Sequence, residues 1–370
     1  MRYLVLHRAL RNAGDFLIRL RAIELIRSAR PSAELVEGEA WRPLEEQFAA
    51  TRLEEFDAIV ICGGPGFQAQ MHPAVYPLMP LDRMRAPLIL LSMGSYFFPA
   101  DRDSIASHRL DPETVAFLRW VSARVPMIST RDQLSADLLA REGIDGGTMT
   151  GDVAWYAPEG LARPFPSHIE HVAFTPPANP LFFRDGIALL HAVRRYAPTA
   201  DVSVIFHRDR QPPFEQAARA VGAATFDISG SVDGLRRYDG ASVHIGYRLH
   251  AHLYCLSTGG VSYLVAEDSR GVGALQTLGN LGVDPFRRRL ASGALRRVWS
   301  VLPRLGNPSR RSTRPIGLAA SRLLRYGDPS PALIAQLDRD ASEGFDRHRA
   351  VREQIAATRP IMDQALEMLP

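Results

Sequence analysis

The sequence has no lysine, only two cysteines and no long apolar run, and each absence narrows the class of protein. Cys62 and Cys255 stand in unrelated contexts, which argues against a disulfide framework or a zinc knuckle. No stretch approaches the ~20 apolar residues that cross a bilayer, and the first residues lack the apolar core of a signal peptide. These absences together favour a cytoplasmic protein.

Because lysine is absent, all 44 basic side chains are arginine, and they are unevenly distributed. Residues 286–325 contain eleven arginines and no acidic residue, so that the formal +4 of the whole chain, less these eleven, leaves −7 elsewhere. A general nucleic-acid-binding protein spreads its basic residues more widely. We therefore expect no nucleic-acid partner.

Short apolar runs alternate with helical patterns along the chain, which is typical of parallel strands joined by crossover helices. A break rich in proline and glycine at 150–168 separates two such series. The pattern predicts two doubly wound, Rossmann-like α/β domains over 1–165 and 166–328, followed by a helical extension over 329–370. The predicted strands are residues 3–7, 57–62, 87–92, 126–130, 171–175, 201–206, 224–228, 241–245 and 261–266, and the clearest predicted helices are 15–29 and 182–196.

Doubly wound sheets bind ligands beyond the carboxyl ends of their strands, so the residues after each strand are the candidate site. "RNAGDFLI" follows the first strand, where Gly14 permits a tight turn and Asp15 can cap the next helix. "ICGGPGFQA" follows another strand, and its glycines would let the backbone approach a ligand or a neighbouring loop. It is a poor dinucleotide-binding motif, and no P-loop sequence occurs.

Two arginines stand where a strand ends and a helix begins. Arg131 in "STRDQLS" and Arg248 in "GYRLHAHLYC" combine a guanidinium with free helix amides, an arrangement that favours anions. On spacing alone, a capping or structural role is the favoured explanation of Arg248 and the neighbouring His250. His244, His250 and His252 make a poor metal site because residues two apart on a helix point in different directions.

Taken in order, "NAGD", "CGGPG", "TRDQLS", "TGD" and "GYRLHAHLYCLSTGGVSYLVAEDSRG" resemble the landmarks of the polysaccharide pyruvyl transferase family. The resemblance covers residues 12 to about 280. It implies a GT-B-like fold and transfer of a pyruvyl group from phosphoenolpyruvate to sugar hydroxyls as a ketal, with no metal or other cofactor. The acceptor would be a surface-polysaccharide sugar or its lipid-linked precursor.

The same resemblance implies roles for individual residues. His250 would be the general acid, and Arg248 with Leu249 would line the donor site in the second domain. Arg131 would be a second donor arginine, and Arg270 stands where members often carry lysine. Further substrate contacts would come from the acceptor side, the first domain: Asn12, Gly14, Asp15, Gly63 and Gly64.

Two other functions fit the same architecture. A nucleotide-sugar glycosyltransferase would share the fold, since fold does not fix function. A non-catalytic glycan- or anion-binding protein would keep the site without turnover.

The basic segment raises a separate hypothesis. Apolar residues of 286–302 recur at helical spacing beside arginines, a pattern that predicts an interfacial helix at the inner face of a membrane. An ordinary amphipathic helix packed on the second domain explains the pattern equally well. Flotation with anionic liposomes at moderate salt distinguishes the two interpretations.

Overall fold

The computed structural model describes residues 1–157, 163–287 and 327–370, which form two parallel sheets and two C-terminal helices. The basic segment 286–325, and with it the predicted interfacial helix, lies almost entirely outside these residues. In the described part of the chain, no helix has both the length and the apolar character needed to cross a membrane.

The first sheet is formed by the amino-terminal part of the chain. Its order is β2-β1-β3-β4, and hydrogen bonds between Met93 and the strand Ile128–Thr130 add β5 and then β6 at its edge. The strands are Arg2–His7 (β1), Glu34–Glu39 (β2), Ala58–Cys62 (β3), Leu88–Leu91 (β4), Ile128–Thr130 (β5) and Gly147–Met149 (β6). The helices are Ala13–Ala29 (α1), Leu44–Gln47 (α2), Ala50–Leu53 (α3), Arg102–Ser107 (α4), Pro112–Ser122 (α5) and Gln133–Arg141 (α6), with 3-10 turns at Leu81–Arg83 and Val153–Trp155.

The second sheet has the strand order β12-β11-β10-β7-β8-β9, and every pairing in it is parallel. Its strands are His171–Thr175 (β7), Asp201–Phe206 (β8), Ala224–Asp227 (β9), Val243–Gly246 (β10), Ser262–Val265 (β11) and Gly282–Val283 (β12). Its helices are Phe183–Tyr196 (α7), Pro212–Ala220 (α8), Leu249–Ser257 (α9) and Ser269–Thr277 (α10), with 3-10 turns at Pro180–Phe182, Asp233–Tyr238 and Pro285–Arg287. Numbered within the domain, this is the 3-2-1-4-5-6 order of the Rossmann fold.

Two helices follow, Ser330–Ser342 (α11) and Asp346–Glu367 (α12). Helix α11 packs on α7 and β12 of the second domain. Helix α12 packs against α9 in the second domain and against α1 and β5 in the first. The fold therefore has the predicted class: two doubly wound α/β domains with C-terminal helices.

The central strands are covered on both faces, as parallel strands between helices usually are. Tyr3, Leu4, Val5 and Leu6 of β1 are all fully buried. Strand β2 shows the limit of this signal: its sequence ELVEGE lies half-exposed at the sheet edge, so it lacks the apolar run that marked the other strands. For that reason β2 is absent from the predicted strands.

Candidate active site between the two sheets

The carboxyl ends of both sheets meet at a cleft between the domains. In each sheet the strand order reverses beside the first strand, between β1 and β3 and between β7 and β10. Such reversal points are where doubly wound sheets bind ligands, because neighbouring loops diverge there. The pocket at this place is lined by Asn12, His207, Tyr247, Arg248, Leu249, His250, Glu267, Asp268, Arg270 and Gly271.

The amino end of α9 lies at the floor of this pocket. Gly246 ends β10 with φ +155°, and a β-carbon there would clash with Thr175 on the paired strand β7. The hydroxyl of Thr175 accepts from the backbone N–H of Arg248 at 3.2 Å, which fixes the turn into the helix. Arg248 is the N-cap residue, and its side chain makes no capping hydrogen bond. The first-turn amides of α9 are therefore available to an anion, as the sequence suggested.

His250 lies in the first turn of α9 and is 8 % exposed. Helix α1 of the other domain approaches it closely: a β-carbon on Gly14 would lie 2.5 Å from Nδ1 of the ring. Burial, together with the charges of Arg131, Arg270 and Arg248, lowers the pKa of His250 to about 3. The imidazole is neutral at physiological pH in this environment, and a bound anion would raise its pKa.

Arg131 follows β5 and is buried behind His250. Gly94 makes room for it, since a β-carbon there would clash with the guanidinium. Its Nε donates to Asp132 at 3.2 Å and one Nη donates to the carbonyl of Ser95 at 3.1 Å. The other nitrogen, Nη1, is buried and has no hydrogen-bond partner among the described residues. One donor of this buried guanidinium is thus unused among the described residues.

The loop after β11 adds two carboxylates and an arginine. Arg270 forms a bidentate pair with Asp268, with Nε at 3.0 Å from Oδ1 and Nη2 at 2.6 Å from Oδ2, and it lies over the ring of Tyr96. Glu267 accepts from the amide of Asn179 at 2.7 Å. Burial raises the pKa of Glu267 to about 7 against the opposing charge of Arg248. The pocket therefore combines arginines with acids that partly neutralise them.

The first-domain residues predicted to bind substrate lie at different distances from the pocket. Asn12 lines the pocket, and Gly14 packs on His250. Asn12, not Asp15, is the N-cap of α1, accepting from the amide of Gly14 at 3.4 Å, so the predicted cap was wrong. The amide of Ala13, the first residue of α1, donates across the cleft to the backbone carbonyl of His207.

Asp15 instead lies in the first turn of α1. Burial raises its pKa, while the charges of Arg270, Arg8 and Arg208 oppose the shift. Gly63 and Gly64 have φ of +59° and +89°, and they lie behind the pocket wall. Gly63 packs against Ile18, and Gly64 accepts from the amide of Gly94, so both shape the loop that covers Arg131.

Leu249 lines the pocket and packs against the cores of both domains. The structure thus brings six of the ten predicted residues to or against the pocket: Asn12, Gly14, Arg248, Leu249, His250 and Arg270. Arg131, Asp15, Gly63 and Gly64 lie around it. Their roles toward a substrate stay predictions.

His244 and His252 face the core. Ser262 on β11 bonds both of them, His244 Nδ1 at 2.7 Å and His252 Nδ1 at 2.7 Å, and Thr175 bonds His244 Nε2 at 2.9 Å. When each hydroxyl donates one hydrogen bond, Thr175 donates to Nε2 of His244 and Nδ1–H of His244 donates to Ser262. The hydroxyl of Ser262 then donates to Nδ1 of His252. The network therefore fixes the hydroxyl of Thr175, which accepts from the amide of Arg248.

Sequence reasoning missed His207, Asp152, Glu267 and Asp268. Each follows a strand of its domain by one or a few residues, so the rule used for Arg131 and Arg248 could have found them. "TGD" was recognised as a landmark, yet Asp152 received no role. Among the residues that the structure describes, no group of three or more histidine, cysteine or acidic side chains could hold a metal ion.

Comparisons with known proteins agree with this architecture. A model of the polysaccharide pyruvyl transferase family matches residues 12–269. No curated protein matches the chain. The UDP-GlcNAc 2-epimerase of Neisseria meningitidis, solved with UDP-GlcNAc, aligns with a TM-score of 0.50 at 11% identity, over 92% of this chain and 100% of that one. MnaA of S. aureus, solved with UDP, aligns with a TM-score of 0.47 at 10% identity, over 76% and 83%. At such identities the similarity concerns the fold, and the predicted GT-B-like fold is confirmed.

Proposed function

The chain belongs to the polysaccharide pyruvyl transferase family, and from that premise we propose that it transfers a pyruvyl group from phosphoenolpyruvate to two hydroxyls of a sugar. The acceptor is a sugar of a surface polysaccharide or of its lipid-linked precursor. The observation that carries the proposal is the uncapped amino end of α9, which has His250 in its first turn and arginines around it.

Phosphoenolpyruvate carries a carboxylate and a phosphate, and the pocket offers donors of the matching kind. Arg248 and Arg270 line it, and Arg131 keeps a buried Nη1 without a partner among the described residues. Guanidinium groups bind carboxylate and phosphate through paired hydrogen bonds. The amides at the start of α9 add a further anion site.

His250 supplies the proton in this scheme. Protonation of the donor's methylene carbon makes C2 electrophilic, and one sugar hydroxyl then attacks C2. Phosphate leaves, and the second hydroxyl closes the ketal. Of the two protons that the hydroxyls lose, one replaces the proton given to carbon and the other leaves on phosphate, so the reaction balances. A positioned general acid is typically worth 10²- to 10⁴-fold in rate.

Donor binding prepares His250 for this task. Burial lowers its pKa most, and the arginines that lower it further also attract the donor, whose negative charge offsets theirs. The pKa of His250 then rises toward its ordinary value, so the ring takes up a proton as the donor binds. The scheme uses groups of the chain and the donor substrate alone, and we place the reaction in the cytoplasm.

The test is phosphate release from phosphoenolpyruvate, screened against a panel of glycan and lipid-linked acceptors. Thermal denaturation with ligands is the companion measurement, because a ligand at 100 times its Kd adds ~2.7 kcal/mol of stability. We expect phosphoenolpyruvate to raise the Tm of the wild type but not of Arg248→Gln. Arg237→Gln is the matched control, since that guanidinium stacks on Phe226 of the edge strand β9.

Two results would replace the proposal. A rise in Tm with UDP- or GDP-sugars, but not with phosphoenolpyruvate, identifies a nucleotide-sugar glycosyltransferase. Binding of phosphoenolpyruvate without phosphate release on any acceptor identifies a non-catalytic binding protein.

A further inference from the structure

Two buried polar atoms face each other beneath the pocket without forming a hydrogen bond. Nε2 of His250 lies 4.0 Å from Oδ2 of Asp152, and the two residues are 8 % and 2 % exposed. Within the described residues neither atom has a hydrogen-bond partner. Buried polar side-chain atoms are paired in the large majority of cases, so this pair requires an explanation.

Asp152 is held so that only one of its oxygens is committed. It is the N-cap of the 3-10 turn Val153–Trp155, and Oδ1 accepts from the amide of Ala154 at 2.9 Å. The preceding Gly151, with φ +83°, packs against Trp155, and its carbonyl accepts from the hydroxyl of Ser92 at 2.7 Å. The turn is therefore fixed on both sides, and Oδ2 remains directed at the imidazole.

His250 is equally constrained. Its place in the first turn of α9 and the contact with Gly14 restrict the ring, with Nδ1 on the side that Gly14 covers and Nε2 on the inner side. Hydrogen bonds of a catalytic pair are often long before substrate binds and shorten in the reacting complex. A separation of 4.0 Å between two otherwise unpaired atoms fits such a pair.

We propose that Asp152 is a positioning residue for His250: its carboxylate accepts a hydrogen bond from Nε2–H and so leaves Nδ1 to carry the proton of the transfer reaction. The inference rests on the proposed function. Nδ1–H gives its proton to the methylene carbon, forming a C–H bond with the electrons of the double bond. The attacking hydroxyl returns a proton to Nδ1 as its oxygen bonds to C2. The C2–O bond to phosphate then breaks with its electron pair on the phosphate, the oxygen of the second hydroxyl bonds to C2, and the proton of that hydroxyl leaves on the phosphate.

The surroundings favour Asp152 over the other acids of the region. Asp132 is already bonded to Arg131 and to the amide and hydroxyl of Ser135. Glu267 is bonded to the amide of Asn179 and lies beside Arg248. Burial raises the pKa of Asp152, and the charge of Arg131 opposes that shift and favours the carboxylate. Of these three acids, Asp152 is the one whose free oxygen faces the ring.

The test is Asp152→Asn, which keeps an oxygen for the amide of Ala154 and hence preserves the turn. We expect kcat to fall about 100-fold or more while the KM for phosphoenolpyruvate stays within about threefold, because an asparagine amide permits the wrong imidazole tautomer. ¹⁵N NMR of the histidine rings gives an independent readout: the neutral wild-type ring carries its hydrogen on Nε2, and the variant moves it toward Nδ1. Asp111→Asn is the control, since Asp111 caps α5 through the amide of Thr114 and lies outside the pocket lining.

The outcomes separate this inference from the proposed function. A folded Asp152→Asn protein with wild-type kcat, or with an unchanged tautomer, overturns the role of Asp152 and leaves the donor proposal standing. If the wild type releases no phosphate from phosphoenolpyruvate, the proposed function fails. The NMR comparison then decides by itself whether Asp152 positions the ring.

Discussion

His250 and His252 are two residues apart on α9, yet their surroundings differ in kind. His252 points into the core, where its Nδ1 is bonded to Ser262 in a network that includes His244, while its Nε2 has no partner among the described residues. His250 points into the cleft between the domains, where Nε2 is buried without a partner among the described residues. Burial lowers the pKa of both rings, so both are neutral at pH 7.

One helix thus carries a histidine bonded into the core and a histidine for which we propose a chemical role. A buried group with its partners in place stabilises the fold, and its removal leaves those partners unpaired. A buried ring without a hydrogen bond to the core contributes less to stability, and an unpaired atom beside a pocket is a candidate for pairing with a ligand or a reacting group. Substitutions at the two histidines should therefore affect different measurements.

The largest expected effect is on catalysis by His250→Ala. We expect kcat to fall by about 10²- to 10⁴-fold, since the general acid is lost. The free energy of unfolding should fall less than in His252→Ala, because the ring lines the pocket and its Nε2 has no hydrogen bond to lose. Phosphate release and urea denaturation measure the two quantities. Near-wild-type turnover would refute the role assigned to His250.

The next effect concerns the contact that holds the ring. In Gly14→Ala the new β-carbon would lie 2.5 Å from Nδ1, so the imidazole must move, and we expect kcat/KM to fall about 10- to 100-fold. Alanine is the better helix former by ~1 kcal/mol, so the loss cannot be assigned to a weaker helix.

Gly240→Ala is the matched control for this substitution. No atom lies within 4 Å of the added carbon at that position, and activity should stay at the wild-type level. Equal kcat/KM in the Gly14 and Gly240 variants would show that the ring position does not matter.

His252→Ala should reverse the pattern of His250→Ala. It leaves the hydroxyl of Ser262 without this acceptor and opens a cavity in a fully buried place, so we expect a loss of about 2–4 kcal/mol of stability. The folded fraction should keep its kcat within about threefold. A large loss of kcat with unchanged stability would mean that the core network takes part in the reaction.

The smallest effect is the uptake of a fraction of a proton on donor binding. His250 has a pKa of about 3, so it is neutral at pH 7, and the donor's charge should raise that pKa toward neutrality. Affinity for phosphoenolpyruvate should then weaken as the pH rises through the raised pKa. Calorimetry in buffers of different ionisation enthalpy counts the proton.

The same calorimetry on His250→Ala is the control. Protonation of the donor's own phosphate contributes equally in both proteins, so the difference between the two proton counts belongs to His250. Identical proton counts in the two proteins would mean that His250 does not change its charge on binding.

Much of this fold was accessible from the sequence, because its central strands are buried on both faces and appear as apolar runs such as "AIVIC" in β3. Edge strands such as β2 were not predicted, since half-exposed positions accept polar residues and leave no apolar run. Arg248 and His250 were found through the turn and helix start around them. The contact of Gly14 with His250 and the approach of Asp152 are long-range contacts, which no local pattern specifies.

Helix α12 has a mechanical consequence for the cleft. It has 22 residues and so extends about 33 Å. Its first half is bonded to the second domain, through His348 to Ser262 and Gln354 to Thr277, whereas Arg359 lies over Tyr156 of the first domain. A hinge motion that widens the cleft must therefore bend α12, because this helix is attached to both domains. Pro360 stands where the contacts change domain, and it leaves the carbonyl four residues earlier without its helical hydrogen bond. Bending costs least there, so we expect any hinge motion of the two domains to bend α12 at this point.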